Sequence, residues 1–300
     1  MKLSEFLYLS AFGIKTVIFR NKQPIVGSVI LTDRCNLNCR HCSVNNITGK
    51  IYSYEQIISD MELIYKMGVR MLFLYGGEPF LWNDGGRALR DIVLEAKKRG
   101  CFSVSVVTNE TFPMNLPEAD LIMVSLDGDR TRHNLIRGNT YDTVMENIRN
   151  SPSGNICLYM SVNKLNKDSV REVCLTAQTT ANVRAVSFNF HTPYPDTEEL
   201  ALSPEEKEKI CGVILEMMKK GVPVLNLKTA FPYIIKNTFP VPCRQSLVIE
   251  NGTVYTCGRC IATPGLCGRC GYFFAAEYGL AFSGKISVIA DMLKTYLKYI

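Results

Sequence analysis

No run of apolar residues in this sequence reaches the roughly 18–20 needed to span a bilayer, so no transmembrane helix is expected. A secretory signal is lacking too: Lys2, Glu5 and Lys15 interrupt the first residues, and no small-residue cleavage site follows them. Nor is charge of one sign in large excess. The 34 basic and 28 acidic residues leave +6, too mild a balance to require a nucleic-acid partner. Internal repeats and low-complexity tracts are absent. The expected compartment is the cytoplasm.

What is present is ordinary globular composition and an unusual number of thiols. Apolar residues make up 47% of the 300 positions and charged residues 21%, which excludes disorder, collagen and coiled coil for the whole chain. That length fits one large domain, or a principal domain with a small appendage. Twelve cysteines stand at 35, 39, 42, 101, 157, 174, 211, 243, 257, 260, 267 and 270. Disulfide frameworks belong to small secreted domains short of core. Eight of the twelve fall in two tight groups, and clustered thiols in a chain without an export signal point to metal. Cys101, Cys157, Cys174 and Cys211 are isolated and read as buried small hydrophobes.

Between residues 26 and 227, short β-rich runs alternate with helical patterns. Strands are predicted at Gly27–Thr32, Met71–Tyr75, Phe102–Thr108, Leu121–Leu126, Ile156–Val162 and Ala185–Phe190. Helices are predicted at 54–67, 84–99, 141–150, 167–180 and 203–220, and Asp129–Arg137 reads as a charged loop. The alternation implies right-handed βαβ units. About six units fit, with one more short run at Val222–Leu227, whereas a closed eight-unit barrel needs roughly 250 residues. The expected fold is therefore α/β, a partial (β/α)6 barrel with a small Cys-rich C-terminal extension. Boundaries are set at 1–25 for an N-terminal amphipathic segment, 26–238 for the barrel, and 239–300 for the extension and a C-terminal helix. The first segment places Leu3, Phe6, Leu7 and Ser10 at helical spacing, read as a helix covering one barrel end in preference to an interfacial membrane helix. The tail aligns Ile286, Ile289, Ala290, Leu293, Leu297 and Ile300, read as its docking face.

The first cysteine group follows the first predicted strand as Cys35-x3-Cys39-x2-Cys42, at the end where α/β folds gather their chemistry. A structural zinc site is closed by four ligands, while a four-iron cubane on three thiolates leaves one iron open. His41 could instead complete a zinc site. Gly76-Gly77-Glu78-Pro79 follows the second strand, Thr108-Asn109 the third, Ser125-Leu126-Asp127-Gly128 the fourth, and Asn163 the fifth. Together the cysteine spacing and these strand ends resemble the radical S-adenosylmethionine (radical SAM) superfamily.

That resemblance implies a [4Fe-4S] cluster on Cys35, Cys39 and Cys42, with the open iron chelating the methionyl part of S-adenosylmethionine. Reductive cleavage would give a 5′-deoxyadenosyl radical that modifies an unactivated carbon, by abstracting its hydrogen or by adding to a double bond, in oxidoreductase or transferase chemistry. It also implies that Gly76, Gly77, Glu78 and Pro79 contact the methionine moiety. Ser125, Asn109, Asn163, Arg137 and His41 become cofactor-binding candidates, although Asn163 also reads as a helix cap. Glu110 stands where relatives often have glycine. A reducing donor such as flavodoxin or ferredoxin is implied as a partner.

The second group comprises Cys243, Cys257, Cys260, Cys267 and Cys270. Asn251-Gly252 signals a tight hairpin just before Cys257, and this step resembles the auxiliary-cluster extensions called SPASM and twitch domains. Five cysteines suit one further [4Fe-4S] cluster, with Cys260 the least favoured ligand. Zinc is the competing reading, because Cys257-x2-Cys260 and Cys267-x2-Cys270 are paired knuckles. A non-catalytic zinc-knuckle module binding nucleic acid or protein is accordingly the alternative function, though Arg244, Arg259 and Arg269 form no basic stripe. For the enzyme, the substrate is a peptide or a small molecule, sugar or lipid. The loop His191-Thr192-Pro193-Tyr194-Pro195 is a candidate for reading it.

Overall fold

The computed structural model describes residues 2–42 and 48–299, and the side chains of 296–299 lie outside that description. After helix α1 (Leu3–Val17), the sheet strands are β1 (Val26–Ile30), β2 (Met71–Tyr75), β5 (Ser103–Thr108), β6 (Leu121–Ser125), β7 (Ile156–Val162), β8 (Val183–Phe190), β9 (Ser246–Glu250) and β10 (Thr253–Thr256). A separate two-stranded hairpin pairs β3 (Asn83–Asp84) with β4 (Arg87–Ala88). The eight strands form one sheet in the order β10-β9-β1-β2-β5-β6-β7-β8, parallel throughout except for β10 on β9. The fold is mixed α/β, a partial barrel. The Val222–Leu227 run makes no full strand; it contributes a single parallel bridge from Val224 to Val186.

Helices α2 (Tyr54–Met67), α3 (Leu89–Lys98), α5 (Tyr141–Asn150), α6 (Val170–Thr179) and α7 (Pro204–Lys219) cover the outer face. Their starts follow local chemistry. Ser53 accepts from Gln56 N–H, and Ser203 forms a capping box with Glu206 before Pro204. Buried aliphatics on α2 and α3 (Ile57, Ile64, Ile92, Val93) meet Leu72, Leu74, Val104 and Val106 of the strands, which is where the core sits.

Several predicted boundaries move. The 84–99 helix begins only at Leu89, because Gly85 and Gly86 take positive φ and turn β3 into β4. The 167–180 helix begins at Val170, after a 3-10 turn. Asp129–Arg137 is a helix, α4 (Arg130–Arg137), and not a loop. Asp129 accepts the Arg132 N–H as its cap, while His133 and Ile136 turn inward and the arginines mask the periodicity.

Past the barrel come α8 (Phe231–Lys236), α9 (Phe273–Phe282) and α10 (Ile286–Tyr299). The hairpin β9–β10 turns on Asn251 and Gly252, both at positive φ, and adds to the free edge of β1. On the other edge, Asn189 Oδ1 accepts the Phe273 N–H at 2.9 Å and Gly271 O accepts the Phe190 N–H, which seats α9 beside β8.

Both terminal helices dock by faces rotated from those predicted, with Ile289 of α10 common to the predicted and observed faces. α1 buries Phe12 and Thr16, with Tyr8 and Leu9 half-buried, and turns Leu3, Phe6 and Leu7 to solvent. α10 docks through Val288, Ile289 and Met292, and leaves Ile286 and Leu293 exposed. The Leu297 side chain and Ile300 lie outside the described residues. Cys157, Cys174 and Cys211 are buried as expected, but Cys101 is only half-buried. No helix is long and apolar enough to cross a membrane, among the described residues.

Candidate active site

The C-terminal ends of the parallel strands converge on a cavity of about 220 Å³. Cys35, Cys39, His41 and Cys42 enter it from the loop after β1; Gly76 and Gly77 follow β2, and Asn109 follows β5. Ser125 ends β6, and Arg137 reaches in from the end of α4. The predicted residues Glu78, Pro79 and Asn163 are not on its wall.

Each of those three has a structural task. Glu78 is fully buried and accepts from Phe80 N (3.0 Å), Thr108 Oγ1 (2.8 Å) and Asn109 N (2.7 Å), so it ties the β2 end to the β5 end. Burial pushes its carboxyl above the usual range, against those donors. Pro79 opens the short 3-10 turn behind it. Asn163 donates from its backbone to Asn166 Oδ1 at 2.7 Å and accepts from Leu165 N at 2.8 Å, capping the turn after β7.

Gly76 and Gly77 are required by the chain itself. A Cβ on Gly76 would lie 2.0 Å from Thr32 O, and one on Gly77 2.2 Å from Arg34 O. In their place Gly77 N–H donates to Thr32 O at 2.8 Å and Glu78 N–H to Arg34 O at 2.9 Å. The glycines therefore let the β2 loop brace the start of the cysteine loop.

Among the described residues, donors point at Cys35 and Cys39. Asn109 Nδ2 lies 3.6 Å from Cys35 Sγ and donates to Asn36 Oδ1 at 2.9 Å; Leu37 N–H also faces Cys35 Sγ at 3.4 Å. Arg137 Nη1 is 3.8 Å from Cys39 Sγ. Burial pushes the Cys39 thiol up to about 11, and the Arg137 guanidinium works against that. Cys35 is raised as well, chiefly by burial.

Asp127, quoted in its motif but not singled out, is the hub of this wall. It is fully buried, accepts from Arg137 Nε at 2.6 Å and from Ser161 N at 2.9 Å, and lies 3.7 Å from His41 Nε2. Burial opposes its ionisation, but Arg137 and the neighbouring imidazoles hold it below the usual carboxylate range. Burial in turn lowers His41 to about 4, so its ring is neutral at physiological pH and faces His191 edge-on at 6.5 Å. Arg40 N–H donates to Ile136 O, fixing the cysteine loop on α4.

A second, deeper cavity of about 350 Å³ is lined by Cys257, Cys260, Cys267 and Cys270 together with Val26, Phe73 and other barrel-facing residues. Cys243 is not on its wall, though it lies near enough to Cys267 to feel its charge. The two cavities share Tyr75, Val107, Tyr159, Asn189, Thr192, Tyr194 and Tyr272 as a common wall. Tyr194 and Tyr272 join hydroxyls at 3.1 Å, and the Tyr194 hydroxyl also hydrogen-bonds Cys260. Of the loop expected to read substrate, His191, Thr192 and Tyr194 line the first cavity. The tyrosines of β2 and β7 escaped the sequence reading because their apolar neighbours make them look like core. Among the described residues, no trio of Cys, His, Asp or Glu is drawn as closely as the ligands of a single metal ion are. The thiols instead surround space, which suits a larger inorganic group.

Comparison with known proteins agrees with this architecture. Residues 29–177 match the radical SAM superfamily. A GTP 3′,8-cyclase of Listeria monocytogenes serovar 1/2a is 30% identical over 135 residues, covering 40% of this chain and 39% of that protein. A Lactiplantibacillus plantarum GTP 3′,8-cyclase is 30% identical over 132 residues, covering 39% of each. The chain thus spans about two fifths of the length of these curated relatives. Among solved structures, Streptococcus suis SuiB bound to S-adenosylmethionine superposes with a TM-score of 0.62 at 11% identity, over 81% of this chain and 62% of that one. The anSMEcpe structure with bound AdoMet and a Cp18Cys peptide gives 0.55 at 18% identity, over 78% and 74%. At such identities the likeness is one of fold. With the three-cysteine loop seated at the end of β1 and the sequence match running from β1 into α6, the chain belongs to the radical SAM superfamily of enzymes.

Proposed function

We propose that the chain uses a [4Fe-4S] cluster on Cys35, Cys39 and Cys42 to cleave S-adenosylmethionine reductively and modify an unactivated carbon of a peptide or small molecule. The observation that carries the reading is the convergence of three thiols from one loop on a cavity, with Asn109 and Arg137 directed at two of the sulfurs. Those donors suit thiolate sulfur bound to iron, whose potential responds to hydrogen bonds. The group supplies one-electron cleavage of a sulfonium when bound; the protein supplies binding, orientation and exclusion of water.

In this reading Gly76, Gly77, Ser125, Asn109 and His41 surround S-adenosylmethionine, and Arg137, held charged by Asp127, faces its carboxylate. Four of Cys243, Cys257, Cys260, Cys267 and Cys270 hold a second [4Fe-4S] cluster as a SPASM- or twitch-like extension. The position of Cys257, Cys260, Cys267 and Cys270 across a shared tyrosine wall from the first site supports this over a zinc-knuckle module, which would present its fingers to solvent. A flavodoxin- or ferredoxin-type donor supplies the electron. A peptide substrate draws support from the fold likeness to SuiB, which has been crystallised with the precursor peptide SuiA.

The test is product analysis under anaerobic, reducing conditions. The reconstituted protein should convert S-adenosylmethionine to methionine and 5′-deoxyadenosine, and Cys35→Ala, Cys39→Ala and Cys42→Ala should each abolish it. Undiminished cleavage in any of the three would refute the assignment.

A further inference from the structure

The largest unexplained feature lies outside both cavities. Among the described residues, every large apolar side chain more than half exposed belongs to α1, its exit or α10: Leu3, Leu7, Ile14, Ile18, Phe19, Ile286 and Leu293, at 53–81%. The exposed ones elsewhere reach at most 48%, and none forms more than an isolated residue or the single pair Leu63 and Met67 on α2. Scattered residues need no explanation, whereas a continuous stripe does. Leu3, Leu7, Ile14 and Ile18 recur at helical spacing along the side of α1 opposite Phe12 and Thr16, so the helix is apolar on both faces.

The two helices meet at one end of this surface. Arg20 Nη1 donates to Ser283 O at 3.3 Å, and Gly284 sits against Val17, which brings Ile18 and Phe19 beside the turn carrying Lys285 and Ile286. Charge says what covers the surface. Lys2, Lys15, Arg20, Lys22, Lys285 and Lys294 are all exposed along these two segments. Only Glu5 and Asp291 oppose them, and Asp291 is engaged by Thr229 N and Oγ1. Among the described side chains of these two segments, six cations against two acids leave +4.

We infer that α1 and the start of α10 form an interfacial docking surface for an anionic lipid bilayer, with the apolar stripe in the headgroup–acyl boundary and the lysines against lipid phosphates. An apolar stripe edged by lysine and arginine is the arrangement that lies in a bilayer interface without crossing it. The inner side of α1 packs on Val26, Phe73 and Tyr278, and these same residues line the deeper cavity. Docking would therefore bring the floor of that cavity to the membrane. The inference does not depend on the proposed catalysis, and its test reads no turnover.

The experiment is flotation of the full chain with vesicles of mixed phosphatidylglycerol and phosphatidylcholine, against vesicles of phosphatidylcholine alone. Partition onto the anionic vesicles should be on the order of tenfold greater or more, and should weaken with added salt. L7E combined with I14E should remove binding to both kinds of vesicle while leaving circular dichroism unchanged, because neither side chain packs on the core. K15Q combined with K22Q should lower the preference for anionic lipid and keep the fold, so the outcome stays readable should the first variant misfold. Absence of flotation by the unaltered chain, or equal flotation of L7E/I14E, would overturn the inference. So would a concentration-dependent dimer in sedimentation that L7E/I14E abolishes, because the stripe would then be covered by a second copy of the chain.

Discussion

Glu110→Gly offers the sharpest test of the electrostatics behind the site. Glu110 closes the turn after β5 at φ 56° and is buried, and among the described residues neither carboxylate oxygen has a hydrogen-bond partner. Burial, with help from the nearby Glu78 charge, raises its carboxyl from 4.5 to about 8. A raised acid binds its proton more tightly folded than unfolded, so stability is greatest below about 4.5 and falls as pH rises, levelling off above about 8. Each pH unit inside that window costs about 1.4 kcal/mol, or about 3 kcal/mol by pH 7. The left-handed backbone adds roughly 1 kcal/mol that glycine does not incur, offset by about 1 kcal/mol of extra backbone entropy. Glu110→Gly should therefore stabilise the protein by about 3 kcal/mol at pH 7, several degrees in Tm, and by little at pH 5. The assay is thermal unfolding of both proteins under argon from pH 5 to 9. Glu277, raised to about 7 by burial, titrates in both, so the difference between the two curves isolates Glu110. Parallel curves, or a variant less stable at pH 8 than the parent, would refute the reasoning.

Three other outcomes follow from the geometry. Gly77→Ala places a methyl 2.2 Å from Arg34 O, backbone that cannot give way without moving the cysteine loop; iron bound after reconstitution should drop while far-UV circular dichroism is kept. Asp127→Asn leaves the buried Arg137 without its counter-charge, and should cost about 3–5 kcal/mol in urea unfolding. Replacing both Asp127 and Arg137 with neutral residues should cost less than the sum of the single changes, which a double-mutant cycle measures.

Much of the scaffold was legible because it rests on local rules. Ser53 and Ser203 mark helix starts, Asn251-Gly252 marks the hairpin, and the continuous apolar runs mark parallel strands. The cysteine loop stood out through its spacing together with its place after the first strand and the motifs at the later strand ends. What escaped depends on tertiary partners. Glu78 reads as an acceptor for ligand, yet it is fully buried and accepts from the chain's own Phe80, Thr108 and Asn109. Asn163 reads equally as ligand contact or cap, and its bonds to Asn166 and Leu165 show the cap. Asp127 carries no signal of its own in the sequence, because its partner Arg137 reaches it only through the fold of α4. The stripes on α1 and α10 were visible as stripes, but periodicity cannot say which of two apolar faces meets the core; Phe12 and Val288 decided that.

The proposed chemistry requires Cys35, Cys39 and Cys42 to hold a cluster that S-adenosylmethionine can reach. Electron paramagnetic resonance of the anaerobically reconstituted, dithionite-reduced protein addresses this directly. A reduced four-iron signal whose shape changes on adding S-adenosylmethionine, and is lost in a Cys35/Cys39/Cys42 triple-alanine variant, is the predicted result. A spectrum indifferent to S-adenosylmethionine, or a responsive signal surviving in the variant, would contradict it.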